Sequence, residues 1–175
     1  MTRAVLSLGS NLGDRLGYLC TGLERLAPWL VSASGVYETP PWGDTGQPAY
    51  LNSVVIVVDD RAAAHAWLDR ARAAEQAAGR VRDPGRRFGP RTLDVDVIGV
   101  WEADGTPVTG DDPELVLPHP RAHERAFVLR PWLDVEPYAR LPGHGAVTDL
   151  LRTPALAAQL ADVHARADLT LESVR

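Results

Sequence analysis

From Thr92 to Val97 polar and apolar residues alternate without a break, through Leu93, Asp94, Val95 and Asp96. That is the period of a pleated strand, on which side chains two apart share a face. Leu93, Val95 and Val97 therefore point toward a core. Asp94 and Asp96 point the other way, side by side, about 6–7 Å apart along the strand. Neighbouring carboxylates on one sheet face repel each other, so a cation is expected there. Magnesium suits the position, because hard divalent ions take one or two carboxylates together with water and phosphate oxygens. Upstream lie Arg80, Arg82, Arg86, Arg87 and Arg91, a cationic loop able to meet an anionic substrate arriving with the metal. The alternative is an exposed edge whose charges stand in water.

The order of elements places this strand. Residues 3–8 read as a buried strand, and residues 9–13 as a turn. Asp14 is a candidate helix cap, followed by a helix through residue 27 with Leu16, Leu19, Cys20, Leu23 and Leu26 at helical spacing. Residues 31–38 form a second strand candidate. A loop rich in proline and glycine runs to Tyr50, and residues 51–58 are a β-branched strand. An alanine-rich helix over 62–78 ends at Gly79. Glu75 sits near its C-terminus, where an acid is unfavourable, so it pairs with an arginine, contacts a ligand or is a solvated charge. After the arginine loop and the acidic strand, residues 102–105 predict a hairpin turn. A helix over 121–129 closes before Pro131, and apolar spacing at Val147, Leu150, Leu151, Leu156 and Leu160 predicts C-terminal helices that serve packing. A β-α-β-β-α-β order is the α+β, ferredoxin-like pattern: an antiparallel sheet with helices on one face and the other face open for a site. No repeat or linker divides residues 1–175, so one domain is expected.

Composition removes several functions. All 18 basic residues are arginine, which excludes Schiff-base chemistry and a lysine-bearing phosphate loop. A net charge of −5 argues against a general nucleic-acid binder. The turn at residues 9–13 has Asn11 where a dinucleotide fingerprint needs glycine. His119 and His123 lie four apart, but Pro120 between them spoils a helical zinc face. A single cysteine, Cys20, and the lack of a leader or a long apolar run fit a cytoplasmic protein, away from membranes.

With these motifs in place, the chain resembles the 6-hydroxymethyl-7,8-dihydropterin pyrophosphokinase family of folate biosynthesis. The resemblance rests on Arg87-Phe88-Gly89-Pro90-Arg91-Thr92-Leu93-Asp94-Val95-Asp96-Val97-Ile98 and on Gly9-Ser10-Asn11-Leu12-Gly13. It extends to Thr39-Pro40-Pro41-Trp42-Gly43 with Gln47-Pro48-Ala49-Tyr50-Leu51-Asn52, to Gly79-Arg80-Val81-Arg82, and to Leu117-Pro118-His119-Pro120-Arg121 with Arg125-Ala126-Phe127-Val128-Leu129.

The resemblance implies transfer of the β,γ-pyrophosphoryl group of ATP to the hydroxymethyl oxygen of the dihydropterin, with AMP leaving. It implies two magnesium ions on Asp94 and Asp96, with Arg80 and Arg91 as the most catalytic phosphate ligands. Glu75, Arg82, Phe88, Ile98 and His119 fall on the ATP side, Ile98 as an apolar wall for adenine. A flat pterin needs aromatic faces and in-plane polar groups. Tyr50 and Phe127 fit the first and Asn52 the second, with Thr39, Pro40, Trp42 and Arg125 beside them. On composition alone, Tyr50 and Asn52 are equally a packed ring and a turn amide. Phe88 stands where many relatives carry tryptophan. The arginine loop is expected to close over both substrates. The partners implied are these two small molecules, without nucleic acid, for a monomer. Two rivals remain: another two-metal nucleotidyl or phosphoryl transferase, and a non-catalytic RNA-binding module.

Overall fold

In the computed structural model, which describes residues 1–41, 46–81 and 91–171, the chain opens with β1 (Thr2–Ser10) and α1 (Arg15–Leu26). Asp14 caps α1 by accepting the Gly17 N–H at 3.0 Å. The single strand expected over 31–38 is two, β2 (Leu30–Ala33) and β3 (Tyr37–Thr39). Ser34 makes the break. Its N–H donates to the Val54 carbonyl at 2.8 Å, and its hydroxyl accepts the Val54 N–H at 2.9 Å, replacing a ladder bond.

Next come β4 (Tyr50–Asp59), α2 (Ala64–Ala77) and β5 (Asp94–Glu102). The predicted turn at Gly105 returns the chain as β6 (Pro107–Val108). A separate ribbon is made of β7 (Gly110–Asp112) and β8 (Leu115–Leu117). The chain ends with α3 (Ala126–Val135), the small ribbon β9 (Arg140–Leu141) and β10 (Gly145–Ala146), α4 (Val147–Leu151), α5 (Pro154–Leu160) and β11 (His164–Ala165).

The main sheet runs β11-β3-β4-β1-β5-β6, with β2 also paired to β4. Every neighbouring pair is antiparallel. The inner order is that of the ferredoxin-like core. Ala4, Leu6, Leu8, Val55, Val57, Val95 and Val97 face α1 and α2, where Leu19, Leu23, Leu26 and Trp67 close the layer. The opposite face is open at one end only. Val5, Val54, Ile56 and Ile98 are covered by Val128, Leu129 and Trp132 of α3 and by Val147, Leu151 and Leu156. Apolar burial also carries α3 through Pro131, where a helix end was expected; Pro131 and Trp132 are both buried. The area removed from water there outweighs the missing amide.

Among the described residues, no helix is long and apolar enough to cross a membrane.

Candidate active site

At the open end of that face the strands bring their polar residues together. Register does this. On the central strand Ser7 lies opposite Asp96, and Gly9 lies between Asp94 on one side and Asn52 on the other. A cavity forms over them, walled by Thr39, Pro40 and Tyr50 from the β3–β4 side and by Arg125 and Phe127 from α3 and its entry. Its floor and acidic end are Ser7, Gly9, Asn52, Asp94 and Asp96, with Arg91 beside them. All the described pterin-side candidates thus line one cavity with the paired acids. Trp42, Arg82 and Phe88, and the expected loop closure, lie outside the described residues.

The acids are held by guanidinium groups. Asp94 accepts from Arg80 at 2.6 Å through one oxygen and from Arg91 at 2.6 Å through the other. Asp96 accepts from Arg125 at 2.9 Å. Arg80 also donates to Glu75 and, at 3.4 Å, to the Leu93 carbonyl. Glu75 therefore pairs with an arginine and is not a solvated charge. It is buried, and it also accepts the Val95 N–H at 3.0 Å, tying α2 to the start of β5.

Burial, and then the neighbouring Asp94, push the Asp96 carboxyl up to about 6, against the pull of Arg125. With 31% of its side chain still exposed, Asp96 remains reachable from the cavity. Burial, and then Arg125, push His119 down to about 4, so its imidazole is neutral near pH 7. Its Nδ1 accepts the Arg121 N–H at 3.1 Å, which leaves the proton on Nε2, 3.7 Å from Asp96.

The raised Asp96 pKa has a stability consequence. Its contribution to folding is complete below about pH 3.8 and is lost as pH rises through about 6. Asp96→Asn is therefore expected to gain Tm relative to wild type between pH 4 and pH 7 in metal-free buffer. A Tm difference that does not change with pH would contradict the shift.

Ile98 is placed differently from the adenine wall that was expected. Its side chain is fully buried under α3, and its carbonyl accepts the His119 N–H at 2.9 Å.

Three positioning residues were not read from the sequence. Ser7 lies in the expected first strand, whereas Gly9, expected in a turn, lies within β1, which runs on to Ser10 because it pairs there with Leu51 and Asn52. At Gly9 an added Cβ would stand 3.1 Å from Asn52 Oδ1 and 3.4 Å from the Tyr50 ring, so a side chain there would press the Asn52 amide out of place by a few tenths of an ångström. The third is Asn11. Its Oδ1 accepts the Arg91 N–H at 2.8 Å and its amide donates to Gln47 and to the Pro48 carbonyl at 3.0 and 3.2 Å. It fastens the loop before Tyr50 to the residue that leads into β5.

Two carboxylates of one strand, open to a cavity, match the oxygen donors that magnesium takes. Among the described residues no group of three or more histidine, cysteine and acidic side chains forms a fuller cage.

Comparison with known proteins gives the family and the fold. The family model described as 7,8-dihydro-6-hydroxymethylpterin-pyrophosphokinase matches residues 5–137. A Mycobacterium bovis protein named 2-amino-4-hydroxy-6-hydroxymethyldihydropteridine pyrophosphokinase is 47% identical over 156 residues, 87% of this chain and 82% of the relative. Proteins of the same name from Methylorubrum extorquens and Pseudomonas aeruginosa are 44% and 38% identical, over 78% and 85% of this chain and 84% and 90% of theirs. Among solved structures, an HPPK-DHPS in complex with substrates aligns over 85% of this chain with TM-score 0.62. The Plasmodium falciparum HPPK-DHPS with pterin and p-hydroxybenzoate aligns over 85% with TM-score 0.60. At 12% and 14% identity these two speak for the fold, and this chain spans 42% of the length of each. The chain belongs to the 7,8-dihydro-6-hydroxymethylpterin-pyrophosphokinase family.

Proposed function

We propose that the cavity over β1, β4 and β5 is where this chain carries out the family's reaction. In that reaction the β,γ-pyrophosphoryl group of ATP passes to the hydroxymethyl oxygen of 6-hydroxymethyl-7,8-dihydropterin and AMP leaves, a step of folate biosynthesis. The observation that carries the assignment is the convergence of an aromatic and amide-lined cleft with an acid pair already surrounded by guanidinium groups.

In this reading Tyr50 and Phe127 take the faces of the pterin, and the Asn52 amide reads its edge. That amide is held by its 2.8 Å bond to Thr39 Oγ1, so it is oriented before the ligand arrives. Asp94 and Asp96 would hold two magnesium ions, which supply charge stabilisation and alignment for in-line displacement at the β-phosphorus. Arg80 and Arg91 sit on Asp94 and Arg125 on Asp96, shielding the acids from one another. When the polyphosphate enters, the Arg80 and Arg91 guanidiniums turn from carboxylate to phosphate oxygens. Neutral His119 offers its Nε2–H on the ATP side without adding charge. The protein is taken to act as a monomer on these two small molecules.

The test is a nucleotide assay. Purified protein is mixed with magnesium–ATP, with and without 6-hydroxymethyl-7,8-dihydropterin, and AMP is resolved from ADP. Pterin-dependent AMP, abolished by chelating the metal, is the expected result. ADP would mean that transfer occurs at the γ-phosphorus instead. Turnover surviving chelation would remove the metal assignment.

A further inference from the structure

We infer that Gln159, on α5 and beyond the family match, is a positioning residue for the pterin: it clamps the backbone on both sides of Arg125. The inference rests on the reading of the cavity given above. Gln159 Oε1 accepts the Ala126 N–H at 3.1 Å, and its Nε2 donates to the Glu124 carbonyl at 2.9 Å. Between those two bonds the chain passes from a short 3-10 turn (Ala122–Glu124) into α3 with Arg125 extended, at φ −118° and ψ 97°. A helix start leaves its first N–H groups without partners inside the helix. Arg125 gives α3 no side-chain cap, because a guanidinium carries no acceptor for the first N–H groups of the helix; it donates to Asp96 instead. Gln159 supplies the cap from a distance in sequence, and Ala126 is fully buried, so its N–H has no water to fall back on.

The consequence reaches the site through two side chains. Arg125 holds Asp96, and Phe127 forms the α3 wall of the cavity. Both project from the backbone that Gln159 fixes. The same C-terminal segment braces the opposite wall. β11 pairs with Tyr37 and Glu38 of β3, and the Arg166 N–H donates to the Val36 carbonyl at 2.8 Å. Behind Phe127 and Pro40, a second hollow is lined by Gln159, Asp162 and Val163. The C-terminal segment thus backs the two walls between which the pterin would stack. Glu75 and Arg80, on the ATP side, bond to one another and to β5.

The test compares wild type with Gln159→Leu, which keeps the bulk and loses both bonds, and Gln159→Glu, which keeps the acceptor. Steady-state kinetics are run with pterin varied at saturating magnesium–ATP and the reverse, beside hydrogen exchange at the Ala126 amide without substrates. Gln159→Leu is expected to raise the pterin KM about tenfold, the size that one to two net hydrogen bonds carry. The ATP KM should move less than about twofold. Ala126 exchange should speed up, and Gln159→Glu should recover part of both effects. Were Gln159→Leu to fail to fold, a raised pterin KM in Gln159→Glu with an unmoved ATP KM would carry the same support. A lowered Tm with an unchanged pterin KM, or equal loss toward both substrates, would overturn the inference. Unchanged Ala126 protection would overturn the clamp itself, whereas a wild type without pterin-dependent AMP would overturn the reading of the cavity.

Discussion

Asp94→Ala is expected to lower kcat by at least about 1,000-fold while the protein still folds cooperatively. The size follows from what the one carboxylate holds. It is half of the acid pair proposed for magnesium, and loss of metal-assisted charge stabilisation removes several kcal/mol from the transition state. It is also the acceptor that places Arg80 and Arg91, at 2.6 Å each, on opposite oxygens. Removing it therefore disturbs the proposed metal site and two proposed phosphate ligands together. Asp94→Asn should fare little better, since a neutral amide keeps the shape but neither neutralises the arginines nor binds a hard cation well. Circular dichroism and Tm check the fold, and the AMP assay checks turnover. A variant retaining more than about a tenth of wild-type kcat would remove Asp94 from the centre of the mechanism.

Arg80→Ala should damage stability as well as rate. The Arg80 side chain is 11% exposed and bridges Glu75, itself 7% exposed, to Asp94. Breaking a buried ion pair by deleting one partner costs about 3–5 kcal/mol, because the remaining charge stays desolvated. For a chain of this length that corresponds to a Tm lower by about 10 °C. The buried partner left behind is Glu75, so Glu75→Gln combined with Arg80→Ala should recover much of the lost Tm and none of the lost activity. Arg80→Lys should recover part of the lost Tm, because the bonds to Glu75, the Leu93 carbonyl and Asp94 all leave one guanidinium nitrogen, Nη1, which an ammonium replaces in part. A Tm within about 2 °C of wild type in Arg80→Ala would contradict the buried bridge.

The acid face of β5 was legible from the sequence because strand alternation is a local rule, and Asp94, Asp96 and Leu93 obey it. Tyr50, Asn52 and Phe127 came from their resemblance to a known pattern, and the cavity contains all three. What the sequence withheld depends on contacts between distant segments. Ile98 shares the acid face by its spacing, yet nothing in its neighbourhood announces that α3 will cover it. Ile98 is itself the extra residue of a bulge, since Val5 pairs with Gly99 and Leu6 with Val97, and the alternation resets so that Val100 returns to the α1–α2 side. Glu75 was ambiguous because its partner Arg80 lies beyond the helix end. Gly9 shows why only after β4 is laid beside β1. Asn11 looks like a turn residue until the loops it joins are in place. Pro131 misled in the usual direction: local propensity stops a helix there, and burial against the sheet continues it.

The most direct test of the account is a crystal structure with magnesium, an ATP analogue carrying a methylene bridge between the α- and β-phosphorus, and oxidised 6-hydroxymethylpterin. The expected result has the pterin ring between Tyr50 and Phe127 with its edge on Asn52, two metal ions on Asp94 and Asp96, and Arg80 and Arg91 turned to the polyphosphate. A pterin bound away from the cavity, or a polyphosphate bound with no metal on Asp94 and Asp96, would contradict it.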